Sequence, residues 1–264
     1  MENDPDNRFQ SMNTILFFDL DGTVMQNAFS GIIFPQISRM IGDAAGVSPD
    51  SIAWEIMQEH NDRLQNPLDD RPRSLDWEDI IQTIAARHQV AFTGSVVALV
   101  EAYAFEPHIA VLDDAPRLLK ELHNGRKLVV ATMGLSVYQY PVLRALNLYP
   151  LFDDFLMPDT TGFLKTDREF YRHYPDEDAL RIHIGDRYDH DCYYPKRFGS
   201  LAVIRLPLSE LAKYSPFERP RHLLAEHFSD ITTPFDVLPD AVVIDLAELP
   251  EVIEALEAQS IPQK

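Results

Sequence analysis

The chain carries a single cysteine, Cys192, among 264 residues. An internal disulfide is therefore excluded, which suits a reducing compartment. Long apolar runs are missing too: none approaches the roughly 20 residues needed to cross a bilayer. The N-terminus "MENDPDNRFQ" lacks the basic-then-apolar order of a signal peptide, and a cytoplasmic location is expected. Positive charge is scarce as well. Against 42 acidic residues stand 23 Lys and Arg, a net charge of −19, and no local basic patch offsets it. Such a surface repels phosphate backbones and anionic lipid, so neither nucleic acid nor a membrane is expected as a partner. Internal repeats and low-complexity tracts are absent. What is present is a hydrophobic content of 45%, enough at this length to bury a sizeable core in one large domain or two small ones.

Beyond a loose tail of about ten residues, the apolar run Ile15–Phe18 reads as a short strand buried on both faces. From about Gln26 to Phe105 the signals are helical. "SPDSIAWEIMQEHNDRL" opens with Ser48 as N-cap and Pro49 at the first helical position. "DWEDIIQTIAARH" and "TGSVVALVEAYAF" read as further helices, capped by Asp76 and Thr93. From Asp113 helix and strand alternate: "DDAPRLLKELHNG", "KLVVAT", "SVYQYPVLRALN", "DDFLM", "DREFYRHY" as a helix, "RIHIGD", "SLAVIRL" and "DAVVIDLAELPEVIEALEA". Alternation of this kind predicts an α/β fold, a doubly wound parallel sheet core (Rossmann-like) with an inserted all-α unit. The expected boundaries are 14–25 and 106–264 for the core and 26–105 for the insert. The stretch Pro207–Pro239, rich in Pro and charge, is expected to form two short helices of no assigned role.

In "ILFFDLDGT" an apolar run drives straight into two carboxylates, Asp19 and Asp21. Ligands of open parallel sheets bind beyond the carboxyl ends of the strands. That rule selects Asp19, Asp21, Thr132 and Asp186; Lys165, the only lysine between Thr132 and Asp186, and Asp191 join them. Clustered carboxylates need a compensating cation, and hard oxygen ligands suit Mg²⁺ bound together with a phosphate. Thr132, Lys165 and free backbone N–H groups would meet the phosphoryl group.

"FFDLDGT", "VVATMG", the isolated lysine of "GFLKTD" and "HIGDRYDHD" resemble the four successive motifs of the haloacid dehalogenase superfamily, largely Mg²⁺-dependent phosphatases. The resemblance covers most of the chain and implies that the helical insert is a cap selecting the substrate. It implies Asp19 as nucleophile and Asp21 as general acid/base. Phosphate-binding would fall to Leu20, Asp21, Thr132, Met133 and Lys165. Mg²⁺ would be held by Asp19, the Asp21 carbonyl and Asp186, with Asp191 acting through water. The expected activity is hydrolysis of a small-molecule phosphomonoester through an aspartyl-phosphate, by a monomer or homodimer. Alternatives are a phosphotransferase or mutase, a dehalogenase, and a non-catalytic Mg²⁺- and phosphate-binding protein on the same fold. A dehalogenase of this family lacks the second aspartate, so Asp21 argues against it. Two positions depart from the family: Met133 stands where Asn is usual, and Thr166 where Pro often follows the lysine.

Several residues have plainer readings. Asp191 could instead cap the short helix that follows it. Asp69–Asp70, Asp113–Asp114 and Asp153–Asp154 are expected in solvated loops and helix starts, and His183 and His190 as structural or exposed. Tyr188, Tyr193 and Tyr194 should pack around the last loop, Tyr188 with the option of lining the entrance. Cys192 has no activating base and should be inert.

Overall fold

Thr14–Phe18 form the first strand, β1, with all five residues buried, as a strand covered on both faces requires. The computed structural model describes residues 14–66, 70–175, 179–229 and 231–260; the N-terminal tail and Asp69 lie outside the described residues. After the short β2 (Met25–Gln26) come α1 (Phe34–Ala45), α2 (Pro49–Gln65), α3 (Trp77–Arg87) and α4 (Val96–Ala102). Next, β3 (Ala110–Val111) pairs antiparallel with β2, so the chain enters and leaves the helical region through one small ladder. Ser48 caps α2 by accepting from the Ser51 N–H, and Asp76 caps α3 through the Glu78 and Asp79 amides. The cap of α4 is Ser95, not Thr93. The physical reason is Glu78 on α3, which accepts from the Val96 N–H at 2.7 Å and pins the first turn there.

The rest alternates as expected: α5 (Ala115–Leu122), β4 (Arg126–Ala131), α6 (Ser136–Ala145), β5 (Asp154–Leu156), α7 (Pro158–Thr161), β6 (Leu180–Gly185), α8 (Tyr194–Arg197), β7 (Leu201–Arg205), β8 (Ala241–Val243) and α9 (Leu249–Ser260). One sheet of six parallel strands has the order β5-β4-β1-β6-β7-β8. The chain winds from β1 outward in both directions. This is the doubly wound core with helices against its faces. "DREFYRHY" gives no α-helix. It makes a 3-10 turn, Arg168–Tyr171, whose Tyr171 ring packs edge-on against Phe17.

Pro207–Pro239 contains three short 3-10 turns among the described residues, at Ser209–Leu211, Arg219–His222 and Ala225–His227. Its buried Arg219 forks onto Glu248 at 2.6 and 2.9 Å and also donates to the carbonyls of Leu211 and Val242. Tyr188 is buried rather than at an entrance. Its hydroxyl donates to the Pro234 carbonyl and accepts from the Val237 N–H. The segment is a structural cover over β7 and β8.

Candidate active site

The switch point of the sheet lies at β1, between β4 and β6, where crevices of such folds open. Register explains what converges there. Phe18 pairs with Val130 on one side and Ile184 on the other, so Asp19, Thr132 and Asp186 all emerge within two residues of one row. The Asp19 N–H still donates to the Ile184 carbonyl, at 2.8 Å. Beyond it the chain turns tightly, with three successive amides donating to the Leu20 carbonyl. Gly22 adopts φ +78°, and a Cβ there would stand 2.2 Å from the Asp186 Oδ2. Only glycine lets the two loops approach this closely.

Lys165, fully buried, reaches the site from the loop after α7. Its Nζ donates to the Asp19 Oδ1 at 2.7 Å and pairs with the Asp191 Oδ1 at 2.5 Å. The Asp191 Oδ2 accepts from the Arg187 N–H at 2.8 Å. So Asp191 does not cap the helix that follows it. Its side chain anchors the lysine. A Cβ on Gly185 would strike that carboxylate at 2.1 Å.

Three carboxylates, of Asp19, Asp186 and Asp191, offer oxygens within 4.8 Å of one another. Burial pushes Asp19 well above the usual carboxylate range, with Lys165 pulling back and Asp191 and Asp186 adding to the rise. Burial, then the Asp191 charge, raises Asp186 to about 7. For Asp191 burial works upward, yet Lys165 holds the carboxyl below its ordinary value. One ammonium among three acids leaves an excess of negative charge, and the buried Asp186 Oδ1 has no hydrogen-bond partner. Such a donor set fits a hard divalent cation.

Asp21 sits differently. Its Oδ2 accepts from Gln139 Nε2 at 2.9 Å, and its Oδ1 is buried without a partner. Burial raises its pKa, with hydrogen bonds from Gln139 and Asn27 pulling down. Asp19 and Asp21 border a cavity of about 320 Å³, together with Thr132, Met133 and residues of α1, α2 and α3. The Thr132 hydroxyl oxygen accepts from the Gly134 N–H at 3.2 Å. Tyr138 hooks the two layers together: its hydroxyl donates to Asp76 and accepts from the Glu78 N–H.

The plainer readings fare unevenly. Cys192 is buried, with its thiol pushed up to about 12 by that burial. His183 is buried beside the Tyr171 hydroxyl, and burial drives it down to about 3. His190 lines the cavity. Of Asp113–Asp114 and Asp153–Asp154, Asp114, at the start of α5, and Asp153, in the bend before β5, are exposed as expected, yet three of these four aspartates carry a structural bond that charge patterning could not reveal. Asp113 pairs with Arg205 at 2.8 Å, and Arg205 also donates to the Gly22 carbonyl. Asp153 accepts from the Leu128 N–H, and Asp154 from the Tyr174 hydroxyl. Sequence reasoning missed Gln139 and Arg205. A signal existed for the first: Gln139 shares a helical face with Val142 and Leu143, all buried, and a polar residue on such a face has a partner to satisfy.

The sequence pattern of the haloacid dehalogenase-like hydrolases matches residues 14–174. Over 103 residues the chain is 31% identical to a glyceraldehyde 3-phosphate phosphatase of Methanocaldococcus jannaschii, covering 36% of this chain and 45% of that protein. The match thus spans under half of the relative's length. Among solved structures, a HAD phosphatase from Thermococcus onnurineus superposes with a TM-score of 0.66 at 19% identity, covering 91% of this chain and 97% of that one. An L-2-haloacid dehalogenase from Xanthobacter autotrophicus, with chloropropionic acid covalently bound, gives 0.61 at 16%, covering 93% and 100%. At these identities the two structures speak for the fold.

Proposed function

For a chain that belongs to the haloacid dehalogenase-like hydrolases, we propose hydrolysis of a small phosphomonoester, with Asp19 as nucleophile and Asp21 as general acid and base. The observation that carries it is Asp21: a second carboxyl, poised toward its protonated form by burial, borders the same cavity as Asp19. A dehalogenation has no leaving oxygen to protonate and no use for that acid.

An oxygen of Asp19 attacks phosphorus in line as the ester P–O bond breaks, and Asp21 gives its proton to the departing oxygen. The alcohol leaves. Water then attacks the aspartyl-phosphate and yields its proton to Asp21, releasing inorganic phosphate and restoring the Asp19 carboxylate. Lys165, touching Asp19, pulls against burial toward the ionised carboxylate and holds it in place, while Asp191 fixes the lysine. Thr132 and the backbone N–H groups of Leu20, Asp21 and Met133 are assigned to the phosphoryl oxygens. Asp19 and Asp186 would hold Mg²⁺, with the Asp21 carbonyl as a further oxygen; when bound, the ion supplies charge neutralisation for the transferring group. The four helices α1–α4 act in this reading as a cap over the site.

The test is phosphate release from a generic aryl phosphate and a panel of metabolite phosphates, with Mg²⁺ and with a chelator. Mg²⁺-dependent release that disappears in a folded Asp19→Asn variant is the expected result. A near-normal rate in that variant, or chloride released from 2-chloropropionate and phosphate from nothing, would sink the proposal.

A further inference from the structure

The cavity above Asp19 divides into two chemically distinct parts. Its carboxylates, Asp19, Asp21 and Asp191, belong to the core floor. The wall that the helical layer contributes carries four rings, beside the apolar Met57, Leu64 and Leu75 and the amides of Asn27 and Asn61. Phe34 meets Trp77 edge-on with centroids 4.7 Å apart, Phe29 lies 5.2 Å from Phe34, and the His60 imidazole lies over Trp77 at 4.5 Å. On the core side Tyr138 closes the cluster, 5.7 Å from Phe29. Among the described residues no carboxylate lines the helical side, and Arg187 is the one guanidinium on the lining.

His60 adds a polar feature to this wall. Its Nδ1 is buried with no hydrogen-bond partner. Burial, with Arg187 and Arg63 nearby, lowers its pKa to about 4, so at neutral pH the imidazole is an uncharged hydrogen-bonding group. A polyhydroxylated sugar chain would leave the hydroxyls that face these rings unpaired, at a cost in binding. A flat ring would stack or meet them edge-on. The volume, about 320 Å³, lies at the small end of ligand cavities, which run from roughly 300 to 1,000 Å³.

We propose that the ester this site hydrolyses carries a compact aromatic leaving group, uncharged, with one neutral hydrogen-bonding group that meets His60, and that Trp77 and Phe34 select it. The proposal rests on the phosphatase reading above. Two experiments separate their fates. The first compares kcat/KM for 2-phenylethyl phosphate with glycerol 3-phosphate and glyceraldehyde 3-phosphate; all three leave alkyl alcohols, so intrinsic leaving ability does not mask selection. The second uses fluorescence. The chain has two tryptophans, of which Trp54 is 63% exposed and outside the cavity. In a Trp54→Phe variant Trp77 alone reports on binding of 3-phenylpropylphosphonate, a non-hydrolysable probe.

The expected result is a preference for the phenyl ester of about ten-fold or more, within the range that one hydrophobic pocket supplies. Trp77→Ala should bring the ratio near parity and Trp77→Phe should restore most of it, while the phosphonate saturably changes Trp77 emission. Parity in the unaltered protein, or a ratio that Trp77→Ala leaves untouched, overturns the assignment of the leaving group and leaves the phosphatase reading standing. Should Trp77→Ala fail to fold, the Trp77→Phe ratio and the emission titration decide. Saturable phosphonate binding with no phosphate from any ester overturns the phosphatase reading and upholds the cavity's ligand class. Neither binding nor turnover overturns both.

Discussion

Removing one carboxylate should make this protein more stable and inactive at once. Asp186 has a folded pKa of about 7 against an ordinary 3.8, chiefly through burial and then through the Asp191 charge. From about pH 4 upward the unfolded chain has lost this proton while the folded chain keeps it, so stability falls as pH rises and levels off above about pH 7. A gap of about 3 units is worth about 4 kcal/mol, at about 1.36 kcal/mol per unit. Between pH 5 and 8 the share lost is about 3 kcal/mol, or roughly 5–10 °C in Tm for a chain of this size. Asp186→Asn abolishes that loss. In excess chelator, melts at pH 5 and pH 8 should show the parent losing those degrees relative to the variant. Adding Mg²⁺ should raise the parent's Tm, by about 2.7 kcal/mol in stability at a hundred times Kd, and leave the variant's where it was. Phosphate release should be lost in the variant. Coincident melting curves of the two proteins in chelator at both pH values would refute the reasoning, because they would mean that Asp186 ionises in the fold without penalty.

Other predictions follow from single contacts. Gln139→Leu removes the donor at 2.9 Å from Asp21 and should raise that acid's pKa further. A lost hydrogen bond to a charged group is worth about 1.5–3 kcal/mol, so kcat should fall roughly 10- to 100-fold, with the pH–rate profile displaced to higher pH. Gly22→Ala places a Cβ 2.2 Å from the Asp186 Oδ2 at φ +78°; titration with Mg²⁺ followed by Tm should show the stabilisation lost. Arg219→Met leaves Glu248 unpaired and frees the carbonyls of Leu211 and Val242. Glu248 keeps some access to water, so the cost should sit near the lower end for a broken buried pair, about 3 kcal/mol. Urea denaturation should show it, with KM unaltered.

The fold was legible where burial is continuous or periodic. β1 could be read from its apolar run, α2 and α3 from Ser48, Pro49 and Asp76, and the parallel sheet from alternation. Where a boundary depends on a partner distant in sequence, it was not legible. The start of α4 is set by Glu78, eighteen residues before Val96, and no local rule reaches that far. The expected helix at "DREFYRHY" fails for a similar reason: Phe170 and Tyr171 are both buried in the layer against β1 and β4, and a single 3-10 turn places them there. Pro207–Pro239 was opaque because its bonds run to Tyr188, Asp189 and Glu248, none of which announces the need.

At the site, the sequence named the groups but not how charge is shared among them. Motif spacing put Asp191 near a metal. The folded chain also sets it at 2.5 Å from Lys165, with Lys165 on Asp19 at 2.7 Å as well. That partition has a consequence that spacing cannot express. With Lys165 already shared between two acids, the cluster keeps an excess of negative charge, and the buried Asp186 Oδ1 has no hydrogen-bond partner. Lys165 favours the ionised form of Asp19 that burial alone would protonate, and a divalent ion held by Asp19 and Asp186 would add to that. Gln139 gives Asp21, two residues away, one neutral hydrogen bond and no cation. Burial raises both acids of the motif, but at Asp19 a cation pulls back against it, whereas at Asp21 only hydrogen bonds do. Burial and partner choice set that difference, and both belong to the folded chain.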